Sequence, residues 1–435
     1  MSTPSARTRL TEPFEDTGRL YYAMVGVAVL LVLGMVYSFV TVLTQGHAVT
    51  GLDNWGTDAG VPWGLDIGAF TWWALMGVGA IALSAIVRVF RMDEYEPYAR
   101  IGELVTPLAF MASFLHILFD LGQPFRVLNT LLYLPLESPI AWDVILLAGL
   151  GLLSIAYLLV SIRRDLHELY HDGVLPSVLS PVYEALLIGY EAPTDSEGRG
   201  LRWWLAAGVL TFIPVVGGGL VPFVWGPFGV NINWFGAIQG PTFLAGSMTV
   251  GAATLLFVGG ILRFAYDLDD VFTDETLRTF GVFTGAFAFT YMLGVFYEVQ
   301  TGTFAADMAD PNISTLVFQG PLASLLWLAV AAVVLPTIYL VVQQAIGRFS
   351  LLGTVVFAGV MLVGVLHQET WLTVGGLMYP DLMYPVGEYT PSIYEWLNLM
   401  GTTALVALGL LVFAKTLPVV ATNGVESTDG VESNR

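Results

Sequence analysis

Ten stretches of this chain are apolar over membrane-spanning lengths: residues 21–44, 64–90, 101–121, 139–162, 203–224, 238–264, 279–299, 321–346, 351–368 and 397–418. A hydrocarbon core of about 30 Å takes about 20 residues at about 1.5 Å of helical rise each, and every stretch approaches or exceeds that length. The pattern predicts an all-α integral membrane protein with about ten transmembrane helices. Residues 175–190, LPSVLSPVYEALLIGY, imitate an eleventh span, but Pro176, Pro181 and Glu184 interrupt it. They read as an interfacial helix inside a cytoplasmic connection, 163–202. The polar residues 1–20 form a cytoplasmic tail, and 419–435 have the composition of a disordered one. The first apolar run is long enough to span, so no cleavable signal is expected.

Charge fixes the orientation of this pattern. Arg7, Arg9, Arg19, Arg88, Arg91, Arg100, Arg163, Arg164, Arg199, Arg202, Arg263, Arg278, Arg348, Lys415 and Arg435 all fall on one side of a ten-span chain. The positive-inside rule makes that side, with both termini, cytoplasmic in a multi-pass protein of the cell membrane. Of 16 basic residues only Arg126 lies on the other side. A lone cation there, beside an intramembrane His and Asp, is expected to answer an anion, either Asp120 or a ligand.

The composition sharpens the class. Of 435 residues 56% are hydrophobic and 12% charged, with a net charge of −19 and a single lysine; mean hydropathy is +0.72. Such acidity in a membrane protein reads as a surface kept soluble in very high salt, that of an extreme halophile, and no nucleic-acid partner is expected. There is no Cys, which excludes disulfides and thiolate-held iron–sulfur clusters. Among polar residues inside the spans, Glu103, Thr106, Ser113, His116 and Asp120 share an arc of about 140° on the third helix, so this stripe faces protein rather than lipid. Asp66, Asp143, Glu369 and Glu395 map near the outer ends of their helices, and Glu298 near that of the seventh.

A weak repeat is also present. Trp63 in WGLDIGAF and Arg88 are echoed by Trp234 in WFGAIQGP and Arg263; FDLG from Phe119 is echoed by YEVQ from Tyr297, and SPIA from Ser138 by GPLA from Gly320. This predicts two related four-helix bundles, 21–162 and 203–346, with two further helices in 347–418, and makes Asp120 and Glu298 counterparts.

These residues resemble the NrfD / polysulfide reductase membrane-subunit family in its ten-helix branch, which includes the quinol-interacting membrane subunits of alternative complex III and of DsrP-type sulfur-metabolism complexes. The likeness rests on RIGELVT from Arg100, DLGQPFR from Asp120, Tyr133-Leu-Pro, SPIAWD from Ser138 to Asp143, the Trp63 entry to the second helix, and Glu369 with YTPSIYEW from Tyr389. It covers most of the chain and implies a quinone site near the outer face. Two positions depart from the family pattern. Gln123 stands where many members have Arg, and Gly77-Val78-Gly79 where many carry His-Ala-Gly.

The resemblance implies a quinone/quinol-interacting anchor subunit of a respiratory oxidoreductase. It would exchange electrons between membrane menaquinol and an external ferredoxin-like iron–sulfur subunit serving a molybdopterin or multihaem partner. The exchangeable cofactor is menaquinone; neither haem nor an iron–sulfur cluster is expected in this chain. His116, Asp120 and Arg126 are the catalytic candidates, and Asp66, Tyr133, Trp142 and Asp143 the quinone-binding ones. Glu103, Thr106, Ser113, Glu298, Glu369 and Glu395 are candidates for a proton route. Two other readings stay open: a secondary transporter with intramembrane carboxylates, which expects helices broken at Pro214 and Pro336, and a b-type cytochrome using His116 and His367, with His47, His167 and His171 in loops.

Overall fold

The computed structural model describes residues 18–52, 61–173, 175, 177–190, 195–215, 238–305, 323–378 and 389–418. Of the tails expected at 1–20 and 419–435, residues 1–17 and 419–435 lie outside the described residues, and α1 already begins at Arg19. Among the described residues there are ten long helices: α1 (Arg19–Gln45), α2 (Leu65–Val89), α3 (Glu96–Asp120), α4 (Pro139–His171), α5 (Asp195–Val215), α6 (Gln239–Tyr266), α7 (Asp274–Ala305), α8 (Ala323–Ala345), α9 (Leu351–Leu377) and α10 (Ile393–Thr416). Nine are long and apolar enough to cross a membrane; the apolar part of α5 is shorter, Gly200–Val215. The protein is an all-α multi-pass membrane protein. The eleventh apolar stretch holds the short helix Ser180–Leu186, packed at the end of α4 through Leu166, Leu169, Leu175 and Tyr183.

Several helices outrun their apolar cores. α3 starts at Glu96, with Pro97 in its first turn, and α4 runs on to His171. His167 and His171 are therefore helical, not in a loop. Hydropathy marks where lipid stops, whereas the helix continues as long as backbone hydrogen bonding and packing support it. α8 continues through Pro336 and so is not the broken helix a transporter reading expects; α5 ends at Val215, one residue after Pro214, where the described residues stop.

Helix packing divides the molecule differently from the sequence. α2, α3, α4 and α5 close one ring, each packing on the next and α5 back on α2; α6, α7, α8 and α9 close a second in the same way. α1 packs along α10, which in turn covers α3 and α2. The bundles are thus α2–α5 and α6–α9, one helix later than the division 21–162 and 203–346. The repeat pairs Trp63 with Trp234 and Arg88 with Arg263, and so relates α2 to α6. A four-helix offset fits either grouping, and only the packing chooses.

The rings join where α2 meets α6 and α9. The most apolar 18 residues of α2 are 89% buried, against 17% for α1. Close approach explains the small residues of α2. A Cβ on Gly79 would collide with the Ser247 carbonyl, and one on Gly251 with the backbone at Gly79. Helices in lipid gain by van der Waals contact at such small-residue crossings, since apolar surface alone does not distinguish protein from lipid tails.

Candidate functional site

At the Arg-poor end α2, α3 and α10 each contribute polar side chains to one buried cluster. His116 of α3 places Nδ1 2.8 Å from Asp66 Oδ1 on α2 and Nε2 2.9 Å from the Thr402 hydroxyl on α10. The Asn398 amide, one turn before Thr402, donates to both Asp66 oxygens at 3.4 and 3.2 Å. All four side chains are buried. Polar groups so placed must satisfy one another, because the bilayer offers no water.

This geometry can hold or pass a proton without moving heavy atoms. Asp66 accepts from the Asn398 amide and faces His116 Nδ1. Thr402 has acceptors within reach besides Nε2, at the Asn398 and Leu399 carbonyls, 2.9 and 3.0 Å away. With neutral His116 the hydroxyl donates to Nε2. With a protonated ring, Nε2–H donates to the hydroxyl, which turns its own proton to a backbone carbonyl. Donor and acceptor roles along the Asp66–His116–Thr402 series can therefore reverse in place.

Asp120 stands one turn beyond His116 and is only half-buried. Asp66 and Glu395 are near enough to act on it electrostatically, and no hydrogen bond or ion pair holds it among the described residues. The expected pairing with Arg126 is not made. Arg126 is exposed in the short 3₁₀ turn Pro124–Arg126 that follows α3. The chain leaves α3 extended at Leu121, and this turn carries the guanidinium out toward solvent instead of back to the carboxylate.

The expected quinone-binding residues separate. Asp66 joins His116. Tyr133 is 78% exposed at the end of the short helix Val127–Leu132, and the Trp142 indole donates to the Leu136 carbonyl at 2.8 Å. Asp143 keeps a buried Oδ1 without a hydrogen-bond partner.

The residues assigned to a proton route fall into four places. Ser113 donates to the Phe70 carbonyl of α2 at 3.0 Å, and Thr106 to its own-helix Gly102 carbonyl at 2.7 Å; both act as ties. Glu103 lies at the Arg-rich end, its Oε1 accepting from Arg88 Nη2 at 2.9 Å and Ser84 at 3.1 Å. Arg100 beside it bonds Asp165 of α4 at 2.7 Å. In the second ring Glu298 pairs with Gln239, and the Tyr291 hydroxyl donates to Glu369 at 2.8 Å. Glu395 closes the capping box of α10 with Ser392, accepts from the Gly51 amide at 2.8 Å, and takes the Tyr389 hydroxyl. His367, the second candidate haem ligand, donates through Nε2 to the Leu325 carbonyl at 3.0 Å.

Sequence reasoning missed Asn398 and Thr402. A polar pair at i, i+4 in an apolar span was the available signal.

The sequence profile described as polysulphide reductase, NrfD matches residues 53–380, which reach from the chain before α2 to just past α9. The chain belongs to the NrfD polysulphide reductase family. Three relatives of this NrfD protein cover most of it. It is 22% identical to a selenate reductase subunit from Mesobacillus selenatarsenatis, over 92% of this chain and 94% of that protein. It is 23% identical to the Hdr-like menaquinol oxidoreductase integral membrane subunit of Archaeoglobus fulgidus, over 93% and 95%. It is also 23% identical to a polysulfide reductase component from Wolinella succinogenes, over 69% and 91%. The NrfD match stops before α10, so Asn398 and Thr402 lie outside it.

Proposed function

We propose that this chain is the quinone-exchanging membrane subunit of a respiratory reductase complex. It would pass electrons between membrane menaquinol and an external partner bearing iron–sulfur and molybdopterin groups. The names of its NrfD relatives, subunits of selenate and polysulfide reductases and of a menaquinol oxidoreductase, support a reductase-complex membrane subunit. The carrying observation is the Asp66–His116–Thr402 series, a proton store with an uncommitted carboxylate, Asp120, beside it.

The residues fit such a substrate: Asn398 Oδ1 is buried without a hydrogen-bond partner next to Asp66, and among the described residues no donor bonds Asp120. A quinol supplies two electrons and two protons on oxidation. Asp120, half-buried and unbonded, is the group able to accept a hydroxyl proton directly. His116, with both nitrogens engaged, does not meet the substrate; the Asp66–His116–Thr402 series is the place for the second proton, and the two electrons pass to the external partner. Asp66 and Thr402 orient the His116 ring and stabilise its protonated form.

The test is quinol-dependent turnover in membranes, with subunit assembly checked by blotting. Asp120→Asn should lower the rate about 10²–10⁴-fold, the usual loss of a general base, and Asp66→Asn should lower it less, through the lost orientation of His116, both in assembled complexes. Wild-type turnover in an assembled Asp120→Asn complex would make Asp120 a helix-end acid and move the site elsewhere.

A further inference from the structure

The last turn and a half of α4 carries HELYH, His167 to His171, at the Arg-rich end, and none of it belongs to the cluster above. The two imidazoles are four residues apart on one helix face, and their ring centroids are 4.3 Å apart. His167 is partly exposed and His171 exposed. From this pair we infer a binding site for one borderline divalent cation, such as Zn²⁺, Ni²⁺ or Cu²⁺, with water completing its coordination.

Two imidazoles at i, i+4 form a bidentate chelate, and a shared ion about 2.0–2.1 Å from each nitrogen spans rings this close after small rotations. Position favours a cation as well. His171 is the last residue of α4, where the helix dipole places about half a negative charge. The support is rigid. Leu166 and Leu169 of the same turns are buried under the Ser180–Leu186 helix, the Tyr170 hydroxyl donates to Glu184 at 2.9 Å, and Arg163 Nε donates to the Leu186 carbonyl at 2.8 Å. The Tyr190 ring flanks His167 at 5.5 Å. Clamping of this kind fixes both Cα positions before any ion arrives, so little order remains to be gained on binding.

HExxH also invites a hydrolytic reading, in which the Glu is a base at a three-ligand zinc. The structure does not assemble one. Glu168 pairs with Arg164 at 3.2 Å, and no group of three or more His, Cys, Asp or Glu suited to a metal exists among the described residues. The site binds; it does not cut.

The experiment titrates metal-free, full-length protein in detergent, purified without a polyhistidine tag, by calorimetry with Zn²⁺, Ni²⁺ and Cu²⁺. One ion per chain is expected, with Cu²⁺ tighter than Ni²⁺, the order of imidazole sites. His167→Gln and His171→Gln should each weaken binding at least about tenfold and abolish the metal-induced rise in unfolding temperature, while His47→Gln, at the opposite end, changes neither. The exposed positions make both variants foldable, and size-exclusion elution checks that. Equal affinity in wild type and the double variant, or no binding in wild type, would overturn the site.

Discussion

Thr402 decides how the polar cluster works at the residue scale. Its hydroxyl has a choice of acceptors, and under the proposed function that choice is what a proton relay through His116 would use. Thr402→Val keeps the shape and removes the choice. Turnover should fall about tenfold or more with assembly unchanged, in line with the loss of a proton-relay group, and Thr402→Ser should restore it. Equal rates in Val and Ser variants would show that the hydroxyl is only a helix tie. Glu103 predicts a stability effect instead. Its Oε2 faces Arg100 Nε at 3.7 Å with neither atom hydrogen-bonded, while Oε1 serves Arg88. Glu103→Gln removes one of three carboxylates from the network while Arg88 keeps Glu96 and Arg100 keeps Asp165, a loss of about 1–3 kcal/mol. Unfolding of the detergent-solubilised protein measures it. Ser84→Ala, which removes one neutral donor, should cost about 1 kcal/mol.

Among the elements, α2 has the widest influence. It touches α3, α5, α6 and α9, so its register sets both rings and places Asp66 against His116. The contact that fixes this register is the crossing at Gly79 and Gly251. Gly79→Ala should destabilise by about 1–3 kcal/mol, the usual cost of overpacking, because the obstacle is the Ser247 backbone and cannot rotate away. Thermal unfolding in detergent reads the difference. Gly26→Ala, with open space around its Cβ on α1, is the control and should be neutral. α10 matters for a different reason. The sequence presents it as an added helix, yet it supplies half of the polar cluster and holds the Glu395 cap that bonds Gly51.

At the scale of the whole molecule, counting the shorter α5 as a tenth span, the positive-inside rule predicts both termini on the Arg-rich side. A reporter fused after Arg435 should face the cytoplasm, and one inserted between Ala305 and Ala323 should face outward. Both reporters on one side would overturn the placement of the Asp66–His116 cluster near the outer surface. The same arrangement separates two sets of polar contacts along α2 and α3: the Asp66–His116–Asn398–Thr402 cluster at the Arg-poor end, and the Arg88–Glu103–Arg100–Asp165 ion network at the other.

The sequence alone determined the class, the spans and their expected direction. Each follows from local properties: runs of about 20 apolar residues must be helical in lipid, and Arg and Lys stay on the side where translocation is avoided. It also marked His116 and Asp66, because a titratable group in an apolar run needs a partner. Which partner was not legible. Asp66 and Asn398 are 332 positions apart, and nothing periodic links them. Arg126, six residues after Asp120, is close enough in sequence to pair, but the turn after α3 aims it outward. Pairing and grouping depend on which helices close a ring, and a helix reads the same whether its neighbour precedes or follows it. Only the packed structure could put α10 over α3, divide the bundles at α2–α5 and α6–α9, and leave Asp120 without a hydrogen-bond partner among the described residues beside the Asp66–His116–Thr402 cluster.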